Sequence, residues 1–294
     1  YCVTITDSNG CSLVKCVLIT QPTQLSLIQN IISPTTCSSN NGGACVNALG
    51  GIAPYTIVWN DSANTIDSCI SGVYAGVYNP IVTDGMGCTF TMPIMITDIA
   101  GPNIDTIVFS PLACNGDNNG TANTTISGGT TPYTYTWFNG GGNIIATGST
   151  FIFGLTADIY TILVEDGNQC VSIDTFSITE PPILASAISS SSDATCSGLC
   201  NGTAMVVVAG GTTPYSYGWT NGMTSSTDTG MCAGIHNVLV TDANGCNNIT
   251  SLVINDPAPL SVGIDANNIT CNGVNDGSIC LTPSGGTGPY TYLW

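Results

Sequence analysis

Cysteine is the residue of this sequence with the most chemistry to offer: there are fifteen, against one histidine (His236), one lysine (Lys15) and no arginine. Cysteines can hold metal or pair with one another. A structural zinc site needs Cys-x₂₋₄-Cys pairs converging from two places, usually with histidine. Away from the amino end, Cys196 with Cys200 is the one close pair, and it is not repeated elsewhere in the chain. Disulfides are therefore expected, in an oxidising compartment. General acid–base catalysis at neutral pH has almost nothing to work with, so the expectation is no enzyme and no resident cofactor.

The elements that position these cysteines are set by an internal repeat. Gly-Gly-x-x-Pro-Tyr-x-x-x-Trp occurs at Gly50 to Trp59, Gly128 to Trp137, Gly210 to Trp219 and Gly285 to Trp294, at intervals of 78, 82 and 75 residues. Asp-x-x-x-Cys closes a short β run at Asp7–Cys11, Asp84–Cys88, Asp166–Cys170 and Asp242–Cys246. Cys37, Cys114, Cys196 and Cys271 each open a unit and precede an Asn/Gly-rich turn. The three markers agree on a period near 78 and on these boundaries: the last strands of one repeat at 1–20, repeats at 21–98, 99–180 and 181–256, and the front half of another at 257–294. Proline-bearing junctions, such as Glu180-Pro181-Pro182, predict short, semi-rigid linkers. Tyr1 falls inside a strand pattern, so the sequence reads as an excerpt of a longer exported chain.

Within a repeat the apolar period is two. Tyr215, Tyr217 and Trp219 share one face of a strand, and Tyr160, Ile162 and Val164 share another. Turn signals recur every 8–12 residues and no segment keeps a helical pattern. Six or seven short strands in about 78 residues, one ending in Trp, predict an all-β chain of tandem immunoglobulin-like β-sandwiches, stapled by disulfides. The repeated Tyr and Trp are core residues on this reading rather than sugar-stacking platforms.

Two pairings of the marker cysteines are open. In the favoured one, each opening cysteine pairs with its own repeat's turn cysteine: Cys37–Cys88, Cys114–Cys170 and Cys196–Cys246. Cys45–Cys69, Cys200–Cys232 and Cys2–Cys16 are added, leaving Cys11, Cys271 and Cys280. In the other, a turn cysteine pairs forward as Cys88–Cys114, at a spacing of 26, 26, 26 and 25 along the chain. Those intervening residues read as two extended strands, whose far ends lie well beyond the 7 Å or so that a disulfide tolerates between Cα atoms.

The remaining candidates have plain structural readings. His236 stands where Tyr1, Tyr78 and Tyr160 stand, ten residues before a turn cysteine, and reads as a tyrosine substitute. Asp7, Asp84, Asp166 and Asp242 read as Asx-turn acceptors. Asp117 and Asp276 lie in oxygen-rich loops that could hold calcium, but neither loop has the twelve-residue calcium pattern, and turn formation is preferred.

Charged residues are 6% and the net charge is −17, against about 25% charged in ordinary soluble domains. Nucleic acid and anionic membrane surfaces are excluded as partners, because both need basic residues. No stretch is long and apolar enough for a membrane span.

The run Cys271-Asn-Gly-Val-Asn-Asp-Gly-Ser, then Gly-Gly-Thr-Gly-Pro-Tyr-Thr-Tyr-Leu-Trp, with Val-Thr-Asp-Ala-Asn-Gly-Cys246 and Ile-Asn-Asp-Pro in the preceding repeat, resembles the SprB-type repeat of Bacteroidetes cell-surface adhesins, including those of gliding motility. The resemblance implies export, usually through a type IX system with a carboxy-terminal sorting signal, and a place at the cell surface. Asp61-Ser62-Ala63 and Asp105-Thr106-Ile107 resemble the acidic O-glycosylation motif of that phylum, which makes Ser62 and Thr106 candidates. Asn60, Asn119, Asn123, Asn201, Asn248 and Asn268 lie in Asn-x-Ser/Thr sequons. Glycan would hydrate a surface poor in charge.

The expected function is a structural stalk or shaft of a large extracellular adhesin or filament. Its expected partners are neighbouring repeats or identical subunits, with possible attached glycans. The alternative is an adhesive module binding glycans or another cell through the variable loops at 60–68, 138–150 and 220–230.

Overall fold

The computed structural model describes residues 1–294, which form strands and turns without a helix. They fall into two compact units, one of residues 1–107, 124–150 and 161–175, the other of residues 108–123, 151–160 and 176–294.

The first unit contains one whole sandwich. Its first sheet orders Ser26–Ser33, Gly42–Leu49 and Cys69–Val73, all antiparallel. The second orders Thr56–Val58, Ile81–Thr83 and Thr89–Thr91, and Gly76–Tyr78 pairs with Ile94–Ile96 beside it. Period-two patterning puts Ala44 and Val46 inward, while Cys45 faces outward next to its register partner Cys69. Leu27, Ile70, Ile57, Val82, Ile94 and Ile96 close the core around Trp59, which is 0% exposed. The indole N–H of Trp59 donates to the Asp67 carbonyl at 2.9 Å, so its one polar atom is satisfied inside the core.

The second unit repeats the plan. Ala185–Ser192, Gly202–Ala209 and Thr227–Met231 form one antiparallel sheet, and Ser216–Trp219, Gly234–Thr241 and Asn247–Ile254 the other. Ala204, Val206, Trp219, Val238, Val240 and Ile254 fill the space between, with Tyr215 and Tyr217 packed on the rim. Trp219 donates to Ser225 O at 2.8 Å. Two facing antiparallel sheets packed around a buried tryptophan make an immunoglobulin-like sandwich.

Strands of the middle repeat contribute to both units. Pro102–Phe109, Gly120–Gly128 and Phe151–Leu155 lie in one sheet, and Ile144–Thr147, Thr134–Phe138, Asp158–Glu165 and Val171–Ile178 in the other. Trp137 is fully buried and donates to Ser149 O. Two hairpins, Cys2–Thr6 with Ser12–Cys16 and Ser261–Asn267 with Ser278–Ser284, are largely exposed.

Candidate functional site

Each repeat has an entry end, where the linker arrives, and the Gly-Gly motif builds it. Gly51 N–H donates to Thr23 O, and Gly211 N–H to Pro182 O, holding the incoming chain. A Cβ on Gly50 or Gly210 would lie 2.0 Å from Gln24 O or 1.9 Å from Ile183 O, and both glycines have positive φ. Tyr55 and Tyr215 hydroxyls close the motif on the Gly50 and Gly210 carbonyls, at 2.7 and 2.6 Å. The proline between them follows a cis peptide bond in all four copies. Gly210→Ala is expected to cost roughly 1–2 kcal/mol from its left-handed backbone, and more from the overlap with Ile183 O. Urea unfolding of the 181–256 sandwich measures it.

In three of the four motifs the second glycine, Gly51, Gly129 or Gly211, leaves room for an aspartate. Asp84 Oδ2 accepts from Ile52 N at 3.0 Å, while its Oδ1 accepts from Met86 N and Cys88 N at 2.9 Å. Asp166 does the same with Thr130, Asn168 and Cys170, and Asp242 with Thr212, Asn244 and Cys246. One carboxylate therefore latches the cysteine turn to the Gly-Gly loop. Asp7 makes the turn half of this pattern with Asn9 and Cys11.

These hydrogen bonds set the acid response. At Asp84, led by the Ile52 N–H, they hold the carboxyl below the ordinary aspartate value. At Asp166 and Asp242, burial pushes upward but the backbone N–H groups around each carboxylate outweigh it, so the net shift is again downward. The unfolded chain binds these protons at higher pH than the folded chain. The stabilisation is therefore complete above the ordinary aspartate range, near pH 4, and is lost as pH falls through the depressed folded values. Thermal melts should be flat from neutral to about pH 5 and fall below it. Asp242→Asn should lower the melting point at neutral pH and flatten the acid limb for that repeat.

The exit end carries the opening cysteine. In the first complete repeat, Cys37 N–H donates to Ile99 O at 3.1 Å, and Asp98 accepts from the Ser38 N–H and the Thr35 and Ser38 hydroxyls. Glu180 accepts from Gly116 N at 2.7 Å, and Asp256 from Gly198 N at 2.9 Å. The acid that ends each repeat thus ties down that repeat's opening turn.

This polarity corrects the favoured cysteine pairing. Cys37 is bonded to Cys170 and Cys114 to Cys246, so an opening cysteine joins the turn cysteine of the following repeat. Cys37–Cys88, Cys114–Cys170 and Cys196–Cys246 do not form, nor does Cys88–Cys114. An opening cysteine and its own turn cysteine sit at opposite ends of a sandwich whose strands run eight residues, about 26 Å at 3.3 Å per residue. The linker instead brings one exit end against the next entry end. A Cβ on linker residue Gly101 would lie 2.8 Å from Cys170 Cβ, and the Asn244 side chain donates to Ala113 O at 2.9 Å. Cys170 is 2% exposed. Cys88 and Cys196, at the same positions, are exposed thiols, as are Cys11, Cys271 and Cys280. Cys2–Cys16 and Cys45–Cys69 join paired strands, and Cys200–Cys232 joins the residues flanking the paired strands Gly202–Ala209 and Thr227–Met231.

The other candidates fall as follows. His236 Nε2–H donates to Cys232 O at 2.7 Å, and Tyr78 and Tyr160 hydroxyls reach the equivalent carbonyls four residues back. Asp117 accepts from Cys114 N, and Asp276 from the Thr270 N–H and hydroxyl, the place that Asn41 and Asn201 fill in their loops. Both acids serve their turns, and no three His, Cys, Asp or Glu side chains gather as metal ligands. Ser62, Thr106, Asn60, Asn119, Asn123, Asn201 and Asn268 are exposed and Asn248 is half-buried. The Asn201 amide already donates to Thr195 Oγ1 at 2.6 Å, and Asn248 Oδ1 accepts from the Ser186 N–H and hydroxyl. The loops at 60–68, 138–150 and 220–230 each supply the carbonyl that receives the buried indole, from Asp67, Ser149 and Ser225.

The SprB repeat family model matches residues 30–64, 106–142, 188–224 and 263–294. The chain carries four SprB-repeat matches. The first three SprB matches each run from within the first strand of a sandwich through its opening cysteine and Gly-Gly loop to just past the tryptophan, and the fourth covers most of the Ser261–Asn267 and Ser278–Ser284 hairpin and ends at Trp294. No curated protein matches the chain in sequence. Among solved structures it is similar to the N-terminal eight Ig domains of Down Syndrome Cell Adhesion Molecule, at 12% identity and a TM-score of 0.38, covering 86% of this chain and 42% of that one. It is also similar to immunoglobulin domains 1–5 of Sidekick-1, at 10% identity and a TM-score of 0.32, covering 85% and 65%. Mouse nectin-like molecule 4 gives 9% identity and a TM-score of 0.34, covering 68% and 90%. The chain thus spans less than two thirds of the first two.

Proposed function

We propose that this chain is a shaft segment of a large extracellular, cell-surface adhesin or filament, and that its work is mechanical rather than catalytic. The carrying observation is that both junctions between complete sandwiches hold a disulfide from an exit end to the next entry end. Such a bond forms in an oxidising place outside the cytoplasm. It fixes neighbours to each other, which a shaft needs and a free-standing binding module does not. The Gly-Gly loop, the latch aspartate and the two marker cysteines, which recur in every complete repeat, all serve these ends. On this reading the chain carries no cofactor, its partners are repeats of the same kind, and glycan at exposed sites hydrates its surface.

Electron microscopy of native, unreduced material tests the proposal. Thin filaments with regular beads, losing order on reduction, are expected. Dispersed compact particles carrying calcium or saccharide would overturn it in favour of the adhesive module.

A further inference from the structure

The eight marker cysteines sort into two covalent lines. The first runs along the backbone from Cys11 to Cys37, crosses the disulfide to Cys170, and follows the backbone again to Cys196. The second runs from Cys88 to Cys114, crosses to Cys246 and continues to Cys271. Every backbone span is 26 or 25 residues, and each consists of the closing part of one repeat, a linker and the first strand of the next. At the junction after residue 98, the second line passes as backbone while the first passes as the Cys37–Cys170 bridge. At the junction after residue 180 the roles are exchanged, with the bridge now Cys114–Cys246.

We infer that these two interleaved lines carry tension along the chain, so that the sandwiches are bypassed by load. The reason is contour length. From Cys170 to Cys196, the strands Val171–Ile178 and Ala185–Ser192 already hold most of the span near full extension. The bypassed segment between Cys37 and Cys170 holds Trp59, Val82 and Trp137 with their cores. Unfolding that segment adds no length, because the bridge has already fixed the distance between its two ends. A line therefore yields little before a covalent bond must break, whereas an unbridged repeat would pay out its whole chain. Cys11, Cys88, Cys196 and Cys271 occupy the same two positions as the bonded cysteines, the turn pair with the same Asp–Cys hydrogen bond. They are the points where a further repeat of the same type would continue each line.

The inference rests on the shaft reading for its use but not for its test, which is made on the isolated full chain. Cys88→Ser, Cys271→Ser and Cys280→Ser leave Cys11 and Cys196 as thiol handles for maleimide tethers in a single-molecule pulling instrument. Two 26-residue spans allow a maximum length of roughly 180 Å at about 3.3–3.6 Å per residue. Adding Cys37→Ser, Cys114→Ser, Cys170→Ser and Cys246→Ser, with the other disulfides intact, should raise that limit roughly threefold. The limit is covalent, so it holds whether or not a variant folds fully. An oxidised chain that stops near the short limit supports the inference, and one that extends as far as the serine variant overturns it. If native material proves to be dispersed particles while the short limit stands, the shaft reading fails and the two lines do not.

Discussion

Cys37→Ser should destabilise the chain by about 5 kcal/mol, the chain-entropy value for releasing a loop of more than 100 residues, and Cys88→Ser should do almost nothing. The asymmetry is diagnostic. Cys37 closes a separation of 133 residues with Cys170, whereas Cys88 is an exposed thiol. Had the bond joined Cys37 to Cys88, the two substitutions would cost the same. Urea unfolding at equal protein concentration measures the difference. Mass spectrometry of a non-reduced, non-tryptic digest reads the bond itself, as a Cys37 peptide linked to a Cys170 peptide. A Cys37–Cys88 linkage in that digest would falsify the arrangement of the junctions.

The second large effect is in the core. Trp59→Ala should cost roughly 3–5 kcal/mol, the usual loss for emptying a large aromatic site. Trp59 is fully enclosed by Val46, Ile57, Val82 and their neighbours, so little collapse can refill the space. The Asp67 carbonyl also loses its indole donor. Trp59→Phe should recover most of the packing without restoring that donor. The loss should be confined to the 21–98 sandwich. Differential scanning calorimetry should therefore show one transition moving down while that of the 181–256 sandwich, whose core is Trp219 and its own neighbours, stays in place.

Much of the fold was legible because its causes are local. Alternation of Tyr215, Tyr217 and Trp219 with Ser216 and Gly218 is a one-strand property, and the structure turns the first set toward the core. The Asp-x-x-x-Cys turn needs only its own five residues to form, and the Asp7 turn keeps its Asx geometry without a Gly-Gly loop beside it. His236 was readable as a tyrosine substitute because the carbonyl it bonds lies just four residues away. The second half of the aspartate's work was not legible: Asp242 and Thr212 are 30 residues apart, and nothing in either segment names the other. The even spacing of 26 residues between a turn cysteine and the next opening cysteine was visible, but it marks a taut span, not a bond.

By itself, then, the sequence determined the repeat, its period, the strand faces and the Trp-centred sandwich, since each follows from neighbours along the chain. Which cysteine meets which was decided by tertiary structure. Loop-closure entropy prefers Cys88 over the more distant Cys170 as a partner for Cys37 by only about 1 kcal/mol, too little to choose between them. The choice is made by strand direction, which sends Cys37 to the exit end and Cys88 to the entry end of one sandwich. Linker docking on the Gly-Gly loop then brings the next repeat's Cys170 to Cys37.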